Sequence, residues 1–165
     1  SLEDIGAYYL TFSRANRELI RRIELNQIPD RFLKYFDYAY HRKRRHRDRV
    51  ICFLDAVESA DVCVQVADFY LRLINIFYVV IAGIVKDRMI IVFRGDGYRQ
   101  DCGAIALKAF GNIGSAGGHR SAARVEIPIE TIKATLENDL SPEAVERFLV
   151  QRLRRKKKAE TKAEG

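Results

Sequence analysis

The chain has 165 residues, of which 48% are hydrophobic and 31% are charged, and this composition excludes a wholly disordered chain. The length suits one compact domain with additions. No apolar run reaches the roughly 18 residues of a membrane span, and the N-terminus lacks a signal pattern, so we expect a cytoplasmic protein without a membrane partner. The formal net charge of +7 favours a partner that carries phosphate.

Two helices are predicted at the start of the chain. Residues 4–25 repeat apolar side chains near the 3.6-residue period of an amphipathic helix. Asp30 is the predicted N-cap of a second helix over residues 31–46. The predicted inner face of this second helix carries Phe32, Phe36 and Ala39.

The sequence contains two basic runs, over residues 42–49 and 152–158. We interpret the first as a solvated helix end, because cations are favourable at the negative pole of a helix. The alternative interpretation is a phosphate contact. The second run lies at the end of a predicted terminal helix, which begins with an N-cap serine, Ser141, followed by a proline.

The middle of the chain alternates strands and helices. The predicted elements are, in chain order, a buried strand over 50–55, a helix over 58–74, a hairpin of strands 77–85 and 88–93, a helix over 101–111, a strand over 124–129 and the terminal helix over 141–158. This order predicts an α/β (α+β) fold with a central mixed β-sheet of four to five strands, flanked by helices and preceded by a helical N-terminal extension.

Three cysteines, Cys52, Cys63 and Cys102, occur without a Cys-x-x-Cys spacing. An odd number without that spacing indicates reduced thiols, not a disulfide framework or a zinc site. Cys52 and Cys63 lie in apolar segments and are predicted core residues.

Arg94 is the first candidate for ligand binding. It lies in "FRGDG", residues 93–97, where an apolar strand runs into a turn signal. An arginine at a strand end can point into a cleft at the edge of a sheet, where its planar guanidinium suits a phosphate or carboxylate. The alternative is a surface arginine beside a turn.

The second candidate is the segment "NIGSAGGHRSAARVEIP", residues 112–128. Its glycines, Gly114, Gly117 and Gly118, permit positive φ and predict a nest of backbone N–H groups that holds an anion. His119, Arg120 and Ser121 would add hydrogen bonds and charge. The alternative is a flexible loop before an edge strand. A spacing of about 25 residues, with a helix between, could bring this segment and Arg94 to one edge of the sheet.

These segments, in this order after "VADFYLRL", resemble the DHH-associated domain, the C-terminal substrate-binding domain of the DHH phosphoesterase family, which includes RecJ-like exonucleases and oligoribonucleases. The resemblance covers about residues 50–130. The family motif reads Gly-Gly-Gly-His, then a basic residue, a small residue and Ala-Ala-Gly; here Ala116 replaces the first glycine and Arg124 the last. The serines that usually flank the family's strand-end arginine are Phe93 and Gly95 in this chain.

The resemblance implies a division of the chain and a set of site residues. Residues 1–49 would be a helical connector to a missing N-terminal DHH lobe, 50–140 the substrate-binding domain, and 141–165 a C-terminal helix and basic tail. The implied residues that bind a nucleotide or short nucleic acid are Arg94, Gly117, Gly118, His119, Arg120 and Ser121.

The family's metal lobe holds two manganese ions through Asp-x-Asp and Asp-His-His motifs, and this sequence has no Asp-His-His. We therefore expect no catalytic residue, metal ligand or cofactor in this chain, which alone would be inactive. Manganese would belong to the missing lobe of a parent phosphoesterase or exonuclease. Two alternatives stay open: a stand-alone nucleic-acid-binding module that uses the two basic runs, and an interaction lobe with a degenerate site.

Overall fold

A computed structural model of the chain describes residues 27–154. The helix predicted over residues 4–25 and most of the basic run at 152–158 lie outside the described residues. Contacts between Cα atoms divide the chain into two compact units, Ser1–Phe32 and Leu33–Gly165. The described part of the first unit contains a short 3-10 helix, Asp30–Phe32.

The second unit is built on one mixed β-sheet. Its elements are α1 (Leu33–Arg42), β1 (Arg44–His46), β2 (Arg49–Ala56), α2 (Ala60–Leu71), β3 (Tyr78–Val85), β4 (Arg88–Gly95), α3 (Cys102–Phe110), β5 (Ser115–Gly118), β6 (Ala122–Pro128), α4 (Ile129–Thr135) and α5 (Pro142–Leu153). The strand order is β1-β2-β3-β4-β6-β5, with β2 and β3 parallel and every other pair antiparallel. The predicted fold class is confirmed, with six strands where four to five were expected.

Strands β3 and β4 lie in the middle of the sheet because both of their faces are apolar, and they are buried along nearly their whole length. Helix α2 packs over one face of these strands. Helices α3 and α5 cover the opposite face. There, four aromatic rings run from the strands to α5 with neighbouring centroids 6.1–6.3 Å apart: Tyr78, Phe93, Phe110 and Phe148.

Helix boundaries in the second half of the chain follow the capping residues that the sequence contains. The Asp101 carboxylate accepts a hydrogen bond from the Ala104 N–H at 2.9 Å and begins α3, which ends at Gly111. The Ser141 hydroxyl accepts from the Ala144 N–H and begins α5. None of the helices within residues 27–154 is long and apolar enough to cross a membrane.

The first basic run corrects the prediction of a helix over residues 31–46. Helix α1 ends at Arg42, and residues 44–46 form the edge strand β1, which pairs with β2. Two of its arginines reach acids of α5, about 100 residues later: Arg42 donates to Glu143 at 2.6 Å, and Arg44 donates to the buried Glu146 at 2.7 Å. Arg42 is the last residue of α1, as the helix-end interpretation predicts, whereas Arg44 lies in a strand. Both ion pairs connect the start of this unit to its last helix.

All three cysteines are free, as the sequence predicts, and all three are buried, as it predicts for Cys52 and Cys63. Burial raises the pKa of Cys52 and Cys63 to about 12 and that of Cys102 to about 11. The thiolate is the reactive form, so these thiols should not react with Ellman's reagent in the native protein at about pH 8. All three should react in denaturant. Rapid reaction of any thiol in the native protein would contradict this packing.

Candidate functional site

Arg94 lies near the end of β4, on the face of the sheet that α2 covers. Its Nε donates to Oδ1 of Asp68, on α2, at 2.7 Å, and its Nη1 donates to the Phe93 carbonyl at 3.1 Å. The side chain is 22% exposed. This ion pair fixes the direction of a partly buried guanidinium and leaves Nη2 available to a ligand.

The glycine-histidine segment lies directly beside Arg94. Residues 115–118 form β5, which pairs with β6, and β6 pairs with β4 so that Ala122 lies opposite Arg94. The Gly95 N–H donates to the Ser121 carbonyl at 2.9 Å. The structure thus brings the two candidate segments together at one rim of the sheet.

A shallow cleft of about 290 Å³ lies between α2 and the β5–β6 pair. Its lining residues are Val64, Val92, Arg94, Gly117, Gly118, Ala122, Ala123 and Arg124. Three of the residues that the sequence singled out, Arg94, Gly117 and Gly118, therefore share one cleft. The floor of the cleft lies close to the backbone of β6, because the alanine side chains there are small.

The anion nest predicted for the three glycines does not form. Only Gly118 has a positive φ, of 152°; Gly114 and Gly117 do not. Two N–H groups of the segment are used for hydrogen bonds within the fold: Gly114 donates to the Phe110 carbonyl at 3.1 Å, and His119 donates to the Ala122 carbonyl at 2.8 Å. The segment is an edge strand and a tight turn instead of a concave anion-binding loop.

The last two glycines of the motif differ in what surrounds them. A Cβ at Gly117 would meet nothing within 4 Å, so this stretch of backbone is open to a ligand. A Cβ at Gly118 would lie 2.4 Å from the Ala122 carbonyl oxygen. Gly118 in turn packs against Gly103 of α3, where an added Cβ would lie 2.8 Å from the Gly118 oxygen. Gly117 thus suits ligand approach, whereas Gly118 is required by packing.

The N-terminus of α3 holds the turn that carries the histidine. The Gly103 N–H donates to the His119 carbonyl and the Cys102 N–H donates to the Arg120 carbonyl, both at 3.0 Å. These bonds use donors that a helix start would otherwise offer to an anion. They fix the backbone of His119 just beyond the cleft-lining Gly118.

The remaining predicted residues lie at this turn and are not lining residues of the cleft. The His119 imidazole is exposed, and its Nδ1 lies 3.2 Å from the Ser121 hydroxyl oxygen. This contact leaves Nε2 as the ring nitrogen for a ligand. The guanidinium of Arg120 donates to two carbonyls of the preceding loop, Gly97 at 2.9 Å and Tyr98 at 3.3 Å. Arg120 therefore ties two loops together in this structure.

Two residues of the cleft region were missed as site residues. Arg124 lines the cleft and pairs with Glu126 at 2.8 Å, so the arginine that replaces a family glycine adds a second cation. Asp68 orients Arg94. Strand alternation from Ala122 to Arg124 could have placed that arginine on the Arg94 face. The partner of Arg94 could not be found this way, because its acid lies on a helix 26 residues earlier.

The described residues do not fit a metal ion. Within residues 27–154, no group of three or more His, Cys, Asp or Glu side chains could hold one. The acids nearest the cleft, Asp68 and Glu126, are each paired with an arginine. No metal-dependent step is derived from this part of the chain.

The fold is shared with a solved structure, an exopolyphosphatase-related protein from Bacteroides fragilis. The similarity has a TM-score of 0.61 and 17% identity, and it covers 93% of this chain and 43% of that protein. It agrees with the resemblance carried by the motifs. The chain therefore shares its fold with part of that protein. At this identity the similarity shows the fold alone.

Two further comparisons are with a solved structure and with a protein sequence. A solved structure described as the DHH domain of PF0399 has a TM-score of 0.46 and 15% identity, over 78% of this chain and 31% of that one. The uncharacterized protein MJ1633 of Methanocaldococcus jannaschii is 26% identical over 144 residues, which are 87% of this chain and 29% of that protein. No family model matches the chain. The chain thus spans less than half the length of each of these proteins.

Proposed function

We propose that this chain is the substrate-binding lobe of a DHH-type phosphoesterase that acts on short oligonucleotides or nucleotide phosphates. The cleft between α2 and the β5–β6 pair holds the phosphate of a terminal nucleotide. One observation carries the proposal: the guanidinium of Arg94, held by Asp68 at 2.7 Å, lines the same cleft as the open backbone of Gly117.

The phosphate is held from two sides in this proposal. Arg94 donates from the β4 side, and each charge-assisted hydrogen bond contributes about 1.5–3 kcal/mol. Arg124 supplies a second cation on the same face of the sheet. Since each arginine is already paired with a carboxylate, the cleft has little net positive charge, and binding by the isolated lobe should be weak.

His119 and Ser121 complete the site at its rim. The hydroxyl of Ser121 contacts Nδ1, which orients the ring and presents Nε2. Of the predicted binding residues, Arg120 has the least structural support, because its guanidinium already donates hydrogen bonds to two loop carbonyls. In this proposal its role is to fix the turn.

Catalysis is assigned to another part of the intact protein. Any manganese would be bound by a separate DHH lobe, as the family resemblance implies; within residues 27–154, no group of three or more His, Cys, Asp or Glu side chains could hold a metal ion. This chain's own part is to bind and orient the phosphate. Hydrolysis of a dinucleotide by the purified chain in the presence of manganese would contradict this division of labour.

The proposal is tested by the affinity for a 5′-phosphorylated dinucleotide, compared with the same dinucleotide without the phosphate. We expect the phosphate to increase affinity at least several-fold. His119→Ala should lower the affinity for the phosphorylated dinucleotide about fivefold to tenfold, since one hydrogen bond contributes about 1 kcal/mol. His41→Ala is the matched control, an exposed histidine on α1. Equal affinities for the two dinucleotides, or equal effects of the two substitutions, would point to the interaction-lobe alternative.

A further inference from the structure

We propose a second, separate binding site on the opposite face of the sheet: a basic groove that binds single-stranded nucleic acid through its phosphates. The basic groove is defined by Arg44, His46, Arg49, Lys108 and Arg154, which surround the start of β3 at Tyr78. It lies on the face covered by α3 and α5, whereas Arg94 and its cleft lie on the α2 face. The inference does not depend on the proposed phosphoesterase role.

Two adjoining cavities form the basic groove, with volumes of about 640 and 430 Å³. They share four lining residues: Arg49, Tyr78, Leu153 and Arg154. The larger cavity lies between α3 and the end of α5, and the smaller is lined by β1, β2 and the end of α5. Each volume lies in the range of ligand-binding cavities.

Tyr78 gives the basic groove a hydrogen-bond donor that the described residues do not use. Its side chain is 2% exposed, its hydroxyl has no hydrogen-bond partner, and the residue lines both cavities. A buried hydroxyl without a partner is unfavourable, so a ligand acceptor in the groove would satisfy it. Burial raises the pKa of Tyr78, which keeps this hydroxyl protonated.

The charge of the basic groove is of one sign. Among residues 27–154, no Asp or Glu lines either cavity. Lys108 and Arg154 form no ion pair within residues 27–154, and Arg49 approaches only Asp48, at 3.6 Å. Two other cations of the groove already form contacts within the protein: Arg44 pairs with Glu146, and Arg152 donates to the Ala109 carbonyl at 2.9 Å. Lys108, Arg154 and Arg49 therefore remain for an anionic ligand.

The spread of these cations favours a strand over a single phosphate. They lie on β2, on α3 and just after α5; Arg49 and Arg154 line both cavities, whereas Lys108 lines only the larger one. Gln100 and Gln151 add uncharged hydrogen-bonding groups suited to sugars and bases. The two basic runs of the sequence, at 42–49 and 152–158, meet in this groove through Arg49 and Arg154. A cationic channel with polar and apolar lining is typical of single-strand binding.

The test is fluorescence anisotropy of a labelled oligouridylate of about twelve nucleotides with the whole chain, as a function of salt. Neutralising three to four phosphates predicts a slope of log K against log salt of about −2 to −3, at roughly −0.7 per phosphate. Arg49→Gln and Arg154→Gln should each lower affinity about fivefold at low salt and make the slope shallower by about 0.7. Tyr78→Phe should lower affinity about threefold without changing the slope or reducing stability.

Two variants serve as controls. Arg88→Gln removes the same charge at the far end of the β3–β4 hairpin and should leave affinity within about twofold of the unmodified chain. His41→Ala, at an exposed histidine of α1, should also leave it unchanged. Circular dichroism checks that each variant is folded. The proposal is overturned if the groove variants bind like Arg88→Gln, or if uridine monophosphate binds as tightly as the oligonucleotide with a shallow salt slope.

Discussion

Gly118→Ala should destabilise the protein by about 3 kcal/mol or more, the largest stability effect expected of any substitution in the glycine-histidine segment. The backbone at Gly118 has a φ of 152°, which side chains of L-residues rarely adopt. An added Cβ would also lie 2.4 Å from both the Ala122 oxygen and the Ala123 Cα, and neither backbone atom can move without disturbing the β5–β6 turn. Urea unfolding followed by circular dichroism measures the loss.

The neighbouring Gly117→Ala is the matched control. Its Cβ would enter open space and its φ is not positive, so stability should stay within about 0.5 kcal/mol of the unmodified chain. The contrast tests the geometry of the motif independently of any ligand. Equal effects of the two substitutions would show that β5 is not paired as described.

Arg94→Gln should weaken binding of a 5′-phosphorylated dinucleotide by about 10- to 100-fold, because it removes charge-assisted hydrogen bonds worth about 1.5–3 kcal/mol. Stability should fall by about 1 kcal/mol, since the Asp68 carboxylate loses its partner while staying partly exposed. Isothermal titration calorimetry and urea unfolding measure the two effects separately.

Asp68→Asn distinguishes a ligand-binding arginine from a structural ion pair. The amide oxygen of asparagine can still accept from the Arg94 Nε, and the cleft becomes more positive. We therefore expect a small stability loss with affinity kept or increased. If Asp68→Asn and Arg94→Gln instead lower affinity by the same factor, Arg94 acts only through its structural pair with the helix.

The central part of the fold could be predicted from the sequence because its signals are local. The hairpin β3–β4 has continuous apolar strands around a two-residue turn, and α3 and α5 carry their own caps at Asp101 and Ser141. Strands β1 and β5 were missed. Both are short edge strands, one of basic residues and one rich in glycine, and their pairing depends on partners that neither segment specifies alone.

The sequence predicted which residues form the candidate site better than it predicted how they are arranged. Position at a strand end indicated Arg94, and the glycine-histidine pattern indicated the adjacent segment. The anion nest was wrong because neither Gly114 nor Gly117 has a positive φ: Gly114 packs closely against the Glu126 carbonyl, and Gly117 lies in extended backbone with open space around it. Two of the ion pairs that decide which cations are available, Arg94–Asp68 and Arg44–Glu146, join residues 26 and 102 positions apart, a separation that no local pattern encodes.

The most direct test of the phosphate-binding cleft is a ¹⁵N-amide chemical-shift titration of the whole chain with the 5′-phosphorylated dinucleotide. If the cleft holds the phosphate, saturable shifts are expected at Arg94, Gly117, Gly118 and His119, and much smaller shifts when the dinucleotide lacks its phosphate. Shifts confined to the basic groove around Arg49 and Arg154, or none at the glycine-histidine segment, would contradict it.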